Sequence, residues 1–438
     1  MKLAYFSPLS PEASGISDFS EELLMALKKH LTVDVFCKVT PVNQNIIDNF
    51  KLYRYDDIEN DDIRKKYDFL VFQIGNNINY HGRIIELFEK YGGIMELHDF
   101  SLHNYLAEKT YAKKDYMGYY NAVKYSHGSY GAKIAREFLA GRASAPWEAH
   151  PLDLTVNKPL VERADAIIVH SDMAKQMIKG IRPDVPIISI QLHVSEQLDD
   201  VEEYKTECRK MLNIKGNPVV MGSFGFATSA KRITQILEAL CAYKKQVNKN
   251  FHYFIVGKVE INGVEKLIEQ LDLSKNVTIT GFVDLDAFKR YMGACDFCFN
   301  LRYPTHGESS ASLHRMLGMG KAVIVSDIGS FREYPDDIVL KVRYDENEIQ
   351  DIYDAICNLT QSPEVLAATE KQALDYAQDH CDLNKNAGRY AAFFRHLKEY
   401  RYNDDYIDGF ADKLMKLNLT DRDYLNYLAN NKLNIVHL

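Results

Sequence analysis

Short runs of consecutive apolar residues, separated by stretches with helical periodicity, are the feature that most restricts what this 438-residue chain can fold into. The first series is LAYFS from Leu3, VDVFC from Val33, FLVFQI from Phe69, GIMELH from Gly93 and AIIVH from Ala166. The second is VVMGSF from Val219, HYFIVG from His252, VTITG from Val277, FCFNL from Phe297 and AVIVS from Ala322. A strand that is apolar on both faces must be covered on both faces. Parallel sheets flanked by helices do this for many strands in succession. The fold class is therefore α/β and doubly wound. The series restarts across EQLDDVEEYKTECRKMLNIKGNP, from Glu196, a charged segment that ends in Gly216 and Pro218. Two Rossmann-like domains are expected, at 1–197 and 218–383, with a linker at 198–217 and a helical C-terminal segment at 384–438. Their parallel sheets would face a central cleft, because ligands bind beyond the carboxyl ends of such strands.

Composition narrows the function. Lys plus Arg total 53 against 61 Asp plus Glu, a net charge of −8. That balance argues against a nucleic-acid binder and leaves room for one local anion pocket. The opening MKLAYFSPLSPEASG is too short and too broken to read as a signal peptide, and no 18-residue apolar run exists. The seven cysteines are scattered and read as reduced thiols, which with the missing signal predicts a cytoplasmic protein. Cys295 and Cys298 have metal-like spacing but no second pair. They are expected in a buried strand, and no metal site is expected anywhere. Residues 100–150 mix Tyr105, Tyr111, Tyr116, Tyr119, Tyr120, Tyr125 and Tyr130 with lysines. Such stripes are ordinarily packing, so the segment is read as helices capping the first domain. The same mixture also suits peripheral contact with anionic lipid headgroups.

Four motifs carry chemistry. In SPLSPEASGISDFSEELLMAL, from Ser7, Gly15 precedes a helix predicted to start near Ser17 with Asp18 and Glu21 as a capping box. A glycine there admits an anion to the helix N–H groups. In ELHDFSLHNY, His98 and Asp99 end a strand, where His98 could meet a sugar hydroxyl or a developing charge. In GSFGFATSAKRITQILEAL, Lys231 and Arg232 stand at a helix start, where cations are disfavoured unless they answer an anion such as a diphosphate. In NLRYPTHGESSASLHRMLGMGKAVIVSD, Gly307 turns the chain, and Ser309, Ser310 and Ala311 open a helix whose N–H groups face the cleft. Glu308 beside them suits sugar hydroxyls. Together these features fit a nucleoside diphosphate carrying a sugar.

At these residues the chain resembles the retaining family-4 glycosyltransferases of the GT-B fold, most strongly from Val219 to Asp337. KRITQILEAL looks like the helix after that family's donor-binding lysine, at Lys231. HGESSASLHRMLGMGKAVIVSD looks like its Glu-x7-Glu region, and the GESS form looks like a polysaccharide-assembly subgroup. The glycine loop falls at Gly15 and the cleft histidine at His98. The resemblance implies an N-terminal acceptor-side domain, a C-terminal nucleotide-sugar domain, and a final helix that crosses back to the first domain. It implies His98, Lys231 and Glu308 as catalytic residues. It implies Gly15, Lys231, Arg232, Glu308, Ser309, Ser310, Ala311 and Arg315 as donor-binding residues.

Two positions depart from the pattern: the family's second Glu falls at Arg315, and its arginine falls at Phe226. The implied activity is metal-independent hexosyl transfer to a glycan or lipid-linked glycan, with retention and no cofactor beyond the nucleotide-sugar co-substrate. A lipid-linked acceptor would place the protein at the inner membrane face. Asp284 and Asp286 have the spacing of a metal-binding pair, but they open a helix, where capping explains them. A catalytically degenerate nucleotide-sugar binder and a sugar-nucleotide epimerase stay open as alternatives. The missing glycine fingerprint argues against a nicotinamide dehydrogenase. Base, sugar, acceptor and oligomeric state are not set by these residues.

Overall fold

The computed structural model describes residues 1–12, 14–58, 63–194, 198 and 200–416. They form one compact unit over Met1–Gly388, and a second begins at Arg389. The first unit holds two parallel sheets. In chain order the first contains β1 (Lys2–Phe6), β2 (Thr32–Cys37), β3 (Lys51–Arg54), β4 (Phe69–Ile74), β5 (Gly93–Leu97), β6 (Ala164–Val169) and β7 (Ile187–Ser189). The second contains β8 (Val219–Phe224), β9 (Phe251–Val256), β10 (Val277–Gly281), β11 (Phe297–Asn300), β12 (Ala322–Ser326) and β13 (Val339–Val342). Their orders are β3-β2-β1-β4-β5-β6-β7 and β10-β9-β8-β11-β12-β13. Each order reverses beside its first strand, between β1 and β4 and between β8 and β11. Those switch points are where the loops after neighbouring strands diverge and open a crevice.

The apolar runs explain the core. β4 is buried at every position, and β1 at all but its first residue. Phe6 stacks on Phe36 and Phe72 at ring-centroid distances of 4.6 and 4.3 Å. This aromatic column continues through Phe72 to Phe88 under the first sheet. Three strands have no counterpart among the expected runs. They are β3, β7 and β13, and each lies at a sheet edge with partial burial. An edge strand lacks cover on one side and needs no continuous apolar run.

Three local expectations are corrected. The first helix is Gly15–Leu27, and its cap is Ser14, which accepts from the Ile16 N–H. Glu21 is not a capping-box partner; its carboxylate accepts from the Ser10 N–H and the Asn43 amide at 2.8 and 2.6 Å. Residues expected as a linker contain the helix Val201–Met211, whose Lys205 and Arg209 pair with Asp296. Charge there serves packing onto the second sheet. The helix after β11 spans Ala311–Gly318.

Asp284 caps the helix Leu285–Ala294 by accepting from the Ala287 N–H. Cys298 is buried in β11, with Cys295 buried just ahead of it. Residues 100–150 form helices on the first sheet. Their inner side is an aromatic cluster of Tyr111, Tyr119, Phe138 and Trp147, while Tyr116, Met117, Tyr125 and Tyr130 are exposed. Among the described residues no helix is long and apolar enough to cross a membrane.

After the second sheet the chain returns to the first domain's side of the unit. Asp382 bridges to Val194, and the Asn386 amide donates to the Gln191 carbonyl. The helix Leu383–Lys416 then runs into the second unit, and the remaining tail, 417–438, lies outside the described residues.

Phe6 is fully buried at the centre of the aromatic column. Phe6→Ala should cost about 3–5 kcal/mol. Differential scanning fluorimetry should show the thermal midpoint lowered by roughly 5 °C or more. A change under about 1 °C would show that the column is not the keystone of this sheet.

Candidate active site

The loops after β1, β4, β5, β8 and β11 meet around a cavity of about 320 Å³. Gly15, Phe19, Glu22, His98, Asp99 and His193 line it from the first domain, and Glu308, Ser309, Ala311 and Arg315 from the second. Of the expected site residues, the structure therefore brings Gly15, His98, Glu308, Ser309, Ala311 and Arg315 to one wall system. A Cβ built at Gly15 would meet nothing within 4 Å, so the first turn of helix Gly15–Leu27 is open to the cavity. Opposite it, Ser310 caps helix Ala311–Gly318 by accepting from the Leu313 N–H. Two helix N-termini, each carrying a partial positive charge, thus face the same space.

Lys231 lies behind this wall. It is buried, and its ammonium donates to the Phe224 carbonyl. Burial, and then the Arg302 charge nearby, pushes its pKa well below the ordinary lysine value, against a smaller opposing pull from Glu308. Gly225 makes this seat available: its φ is +91°, and a Cβ there would stand 3.0 Å from the Lys231 amine. Arg232 goes elsewhere. Its guanidinium grips the buried carboxylate of Glu348 in a two-pronged pair, which corrects its expected place in the donor site. Glu348 opens a helix in a buried position, and a buried carboxylate demands a cation.

Glu308 is held from several sides. Arg302 pairs with its Oε1 at 2.9 Å, while Thr305 Oγ1 and the His306 N–H donate to its Oε2 at 2.9 and 2.8 Å. Gly307, at φ +74°, packs so closely that a Cβ would stand 2.7 Å from Phe100. Ser101 donates its N–H to the His306 carbonyl, and Ser309 Oγ donates to the His170 carbonyl. The segment Thr305–Ser309 is therefore wedged against the first domain. Arg315 pairs with Glu22 at 3.2 Å. Glu22 also pairs with His193 at 3.2 Å, and its pKa falls to about 2 because those two partners outweigh its burial.

His98 sits at the end of a polar chain. The Gln73 amide nitrogen donates to Glu96 Oε2 at 2.6 Å, so the amide oxygen faces His98 Nε2, also at 2.6 Å. A carboxylate can only accept, so the amide orientation is set, and His98 must donate through Nε2. Nδ1 is left as the ring's acceptor. Phe19 packs on His98, His170 and His193 at 5.0, 5.5 and 4.5 Å. Burial first, then the neighbouring imidazoles, hold His98 well below its ordinary pKa. Burial likewise lowers His81, His170 and His314 to about 4.

Sequence reasoning missed Gly225, Arg302, Glu22, His193 and Gln73. A glycine between two phenylalanines marks Gly225. The other four become partners only through tertiary contacts.

Residues 205–376 match the family Glycosyl transferases group 1, so the chain contains a domain of that type. No curated protein matches the chain. Among solved structures, it is similar to sucrose-phosphate synthase from Thermosynechococcus elongatus, at 15% identity and TM-score 0.62, over 91% of this chain and 99% of that one. It is similar to HepE of Anabaena, solved with UDP and glucose, at 14% identity and TM-score 0.57, over 90% and 100%. It is also similar to WaaG, a glycosyltransferase involved in lipopolysaccharide biosynthesis, at 14% identity and TM-score 0.57, over 90% and 99%. The fold is the GT-B fold.

The histidines fix a pH dependence. Folded His81, His98, His170 and His314 stay neutral where their unfolded counterparts titrate near 6.5. Between about pH 6.5 and 4 the unfolded chain binds more protons, so stability is full above that window and falls through it. Glu22 adds loss of the same sign below its unfolded value of about 4.3. Thermal midpoints measured from pH 8 to 4.5 should be flat at the top and fall steadily below about 6.5; a midpoint that rose on acidification would contradict the neutral cluster.

Proposed function

We propose that this chain transfers a sugar from a nucleoside-diphosphate sugar to a hydroxyl of a glycan or lipid-linked glycan, with the anomeric configuration kept. The observation that carries it is Lys231, a buried amine whose hydrogen-bond acceptor among the described residues is a backbone carbonyl alone, set behind the cavity that two helix N-termini face. A buried cation is costly until an anion meets it. A diphosphate leaving group gathers negative charge as the anomeric C–O bond lengthens. Lys231 and the N–H groups at Gly15 and Ala311 stabilise that charge. In this reading no metal is needed.

Glu308, clamped by Arg302 and Thr305, orients the sugar's hydroxyls. Neutral His98 accepts from one of them through Nδ1 as the sugar becomes oxocarbenium-like. The matched family and the UDP-bound structure of HepE support a uridine or related nucleotide donor. Exposed Tyr116, Met117 and Tyr130 beside exposed lysines support a cytoplasmic protein that touches the inner membrane face when its acceptor is lipid-linked.

Fluorimetry with UDP, GDP, ADP, CDP and dTDP, with and without EDTA, tests the donor class. One nucleotide at about 1,000 times its dissociation constant adds roughly 4 kcal/mol and should raise the midpoint by several degrees, unaffected by EDTA. No shift with any of them would overturn the reading. Lys231→Met should abolish transfer, by at least 100-fold in kcat, while leaving a folded protein; wild-type turnover in that variant is the contrary result. Gly15→Ala should fold as well as the parent, since its Cβ meets no atom, and weaken the nucleotide at least tenfold by calorimetry. Unchanged affinity would remove the glycine loop from the donor site.

A further inference from the structure

A second cavity, of about 490 Å³, opens on the other side of the wedged loop. Its walls come from both domains. Asn104, Glu108, Tyr111, Trp147 and Glu148 line it from the capping helices, and His306 lines it from the loop. Ser229 and Ala230, which directly precede Lys231, complete the wall on the second domain's side. His306 is two residues from Glu308 and donates its backbone N–H to that carboxylate at 2.8 Å. One short segment thus has a residue in each cavity.

The lining has a definite chemistry. It holds two carboxylates and neither lysine nor arginine, the reverse of what a phosphate needs. It also holds two large aromatic rings, one of them the chain's single tryptophan. Two of the lining residues carry a buried polar atom, Asn104 Oδ1 and His306 Nδ1, that has no hydrogen-bond partner among the described residues. Buried polar atoms without partners are uncommon and costly, and they mark places where a ligand supplies the bond. Aromatic faces are negative and attract the C–H groups of a sugar ring, whose edges carry hydroxyls for carboxylate, amide and imidazole partners. A nucleotide is repelled here, and a purely apolar chain would leave the polar atoms unpaired.

We infer that this second cavity is a subsite for a neutral glycan, holding the acceptor while the first cavity holds the donor. The assignment rests on the glycosyl-transfer reading, which it deepens. The glycan's C–H face lies on Trp147 and Tyr111. Its hydroxyls meet Asn104 Oδ1, His306 Nδ1 and the rim carboxylates Glu108 and Glu148. Its reacting end passes His306 toward Glu308. The capping helices, beyond covering the first sheet, then select the acceptor.

Trp147 is the only tryptophan, so tryptophan emission reports on this wall alone. The full chain is titrated with glucose, galactose, N-acetylglucosamine, maltose, cellobiose and lactose, with and without UDP. A saturable change with at least one neutral sugar is expected. Asn104→Ala and Glu148→Gln should each weaken that response at least fivefold, with the thermal midpoint and the nucleotide shift unchanged. Trp147 itself is kept, because it packs on Tyr111, Tyr119 and Phe138 and its loss would disturb the cap.

Silence with every sugar overturns the subsite, as does a response that both variants leave intact. The nucleotide shift separates the two readings. A nucleotide shift with silent tryptophan overturns the subsite and spares the donor site. A sugar response without any nucleotide shift keeps the subsite and overturns glycosyl transfer.

Discussion

Everything in the first unit hangs on parallel pairing in two sheets of the same strand order. Parallel strands send every carboxyl end to the same edge, and the reversal beside β1 and β8 opens that edge. The loops that leave there have no sheet partners of their own, so they are free to carry Gly15, His98, Lys231 and Glu308. The first sheet's switch point then faces the second's across the cavity, and one loop, Thr305–Ser309, is pressed into the first domain by Gly307. That close approach puts side chains more than two hundred residues apart in sequence within one wall.

The electrostatics of the wall follow from burial. Burial keeps His98 and His170 beside Phe19 neutral, so they add polar groups without adding charge. The basic side chains near the cavity include Lys231, Arg302 and Arg315. Two of these are already paired, Arg302 with Glu308 and Arg315 with Glu22. Among the described residues Lys231 has only a carbonyl as acceptor. The imbalance favours an anion on this side of the loop, while the carboxylate-bearing cavity on the other side disfavours one. Two neighbouring cavities of opposite preference suit a reaction that joins a charged donor to a neutral acceptor.

How much was legible in the sequence varied with the kind of residue. The central strands could be read because full burial forces unbroken apolar runs, and β8 and β12 begin and end where those runs do. The edge strands β3, β7 and β13 could not, because partial cover tolerates polar residues. Gly15 and the Ser310 cap were visible as turn chemistry next to a helix. Arg232 was misplaced: its charge at a helix start reads as an anion site, but Glu348, 116 residues away, takes it.

The sequence by itself determined the fold class, the two-sheet organisation and the loops that hold the site, because these depend on local periodicity and on where a strand must turn into a helix. Only the tertiary structure decided which charges are spent inside the protein and which face a ligand. Glu22 with Arg315, Gln73 with His98, and the Trp147 cavity behind the loop all join segments that no periodicity links. Ion pairs and hydrogen bonds reach only a few ångströms, so their partners are settled by how the chain packs, not by how it is ordered.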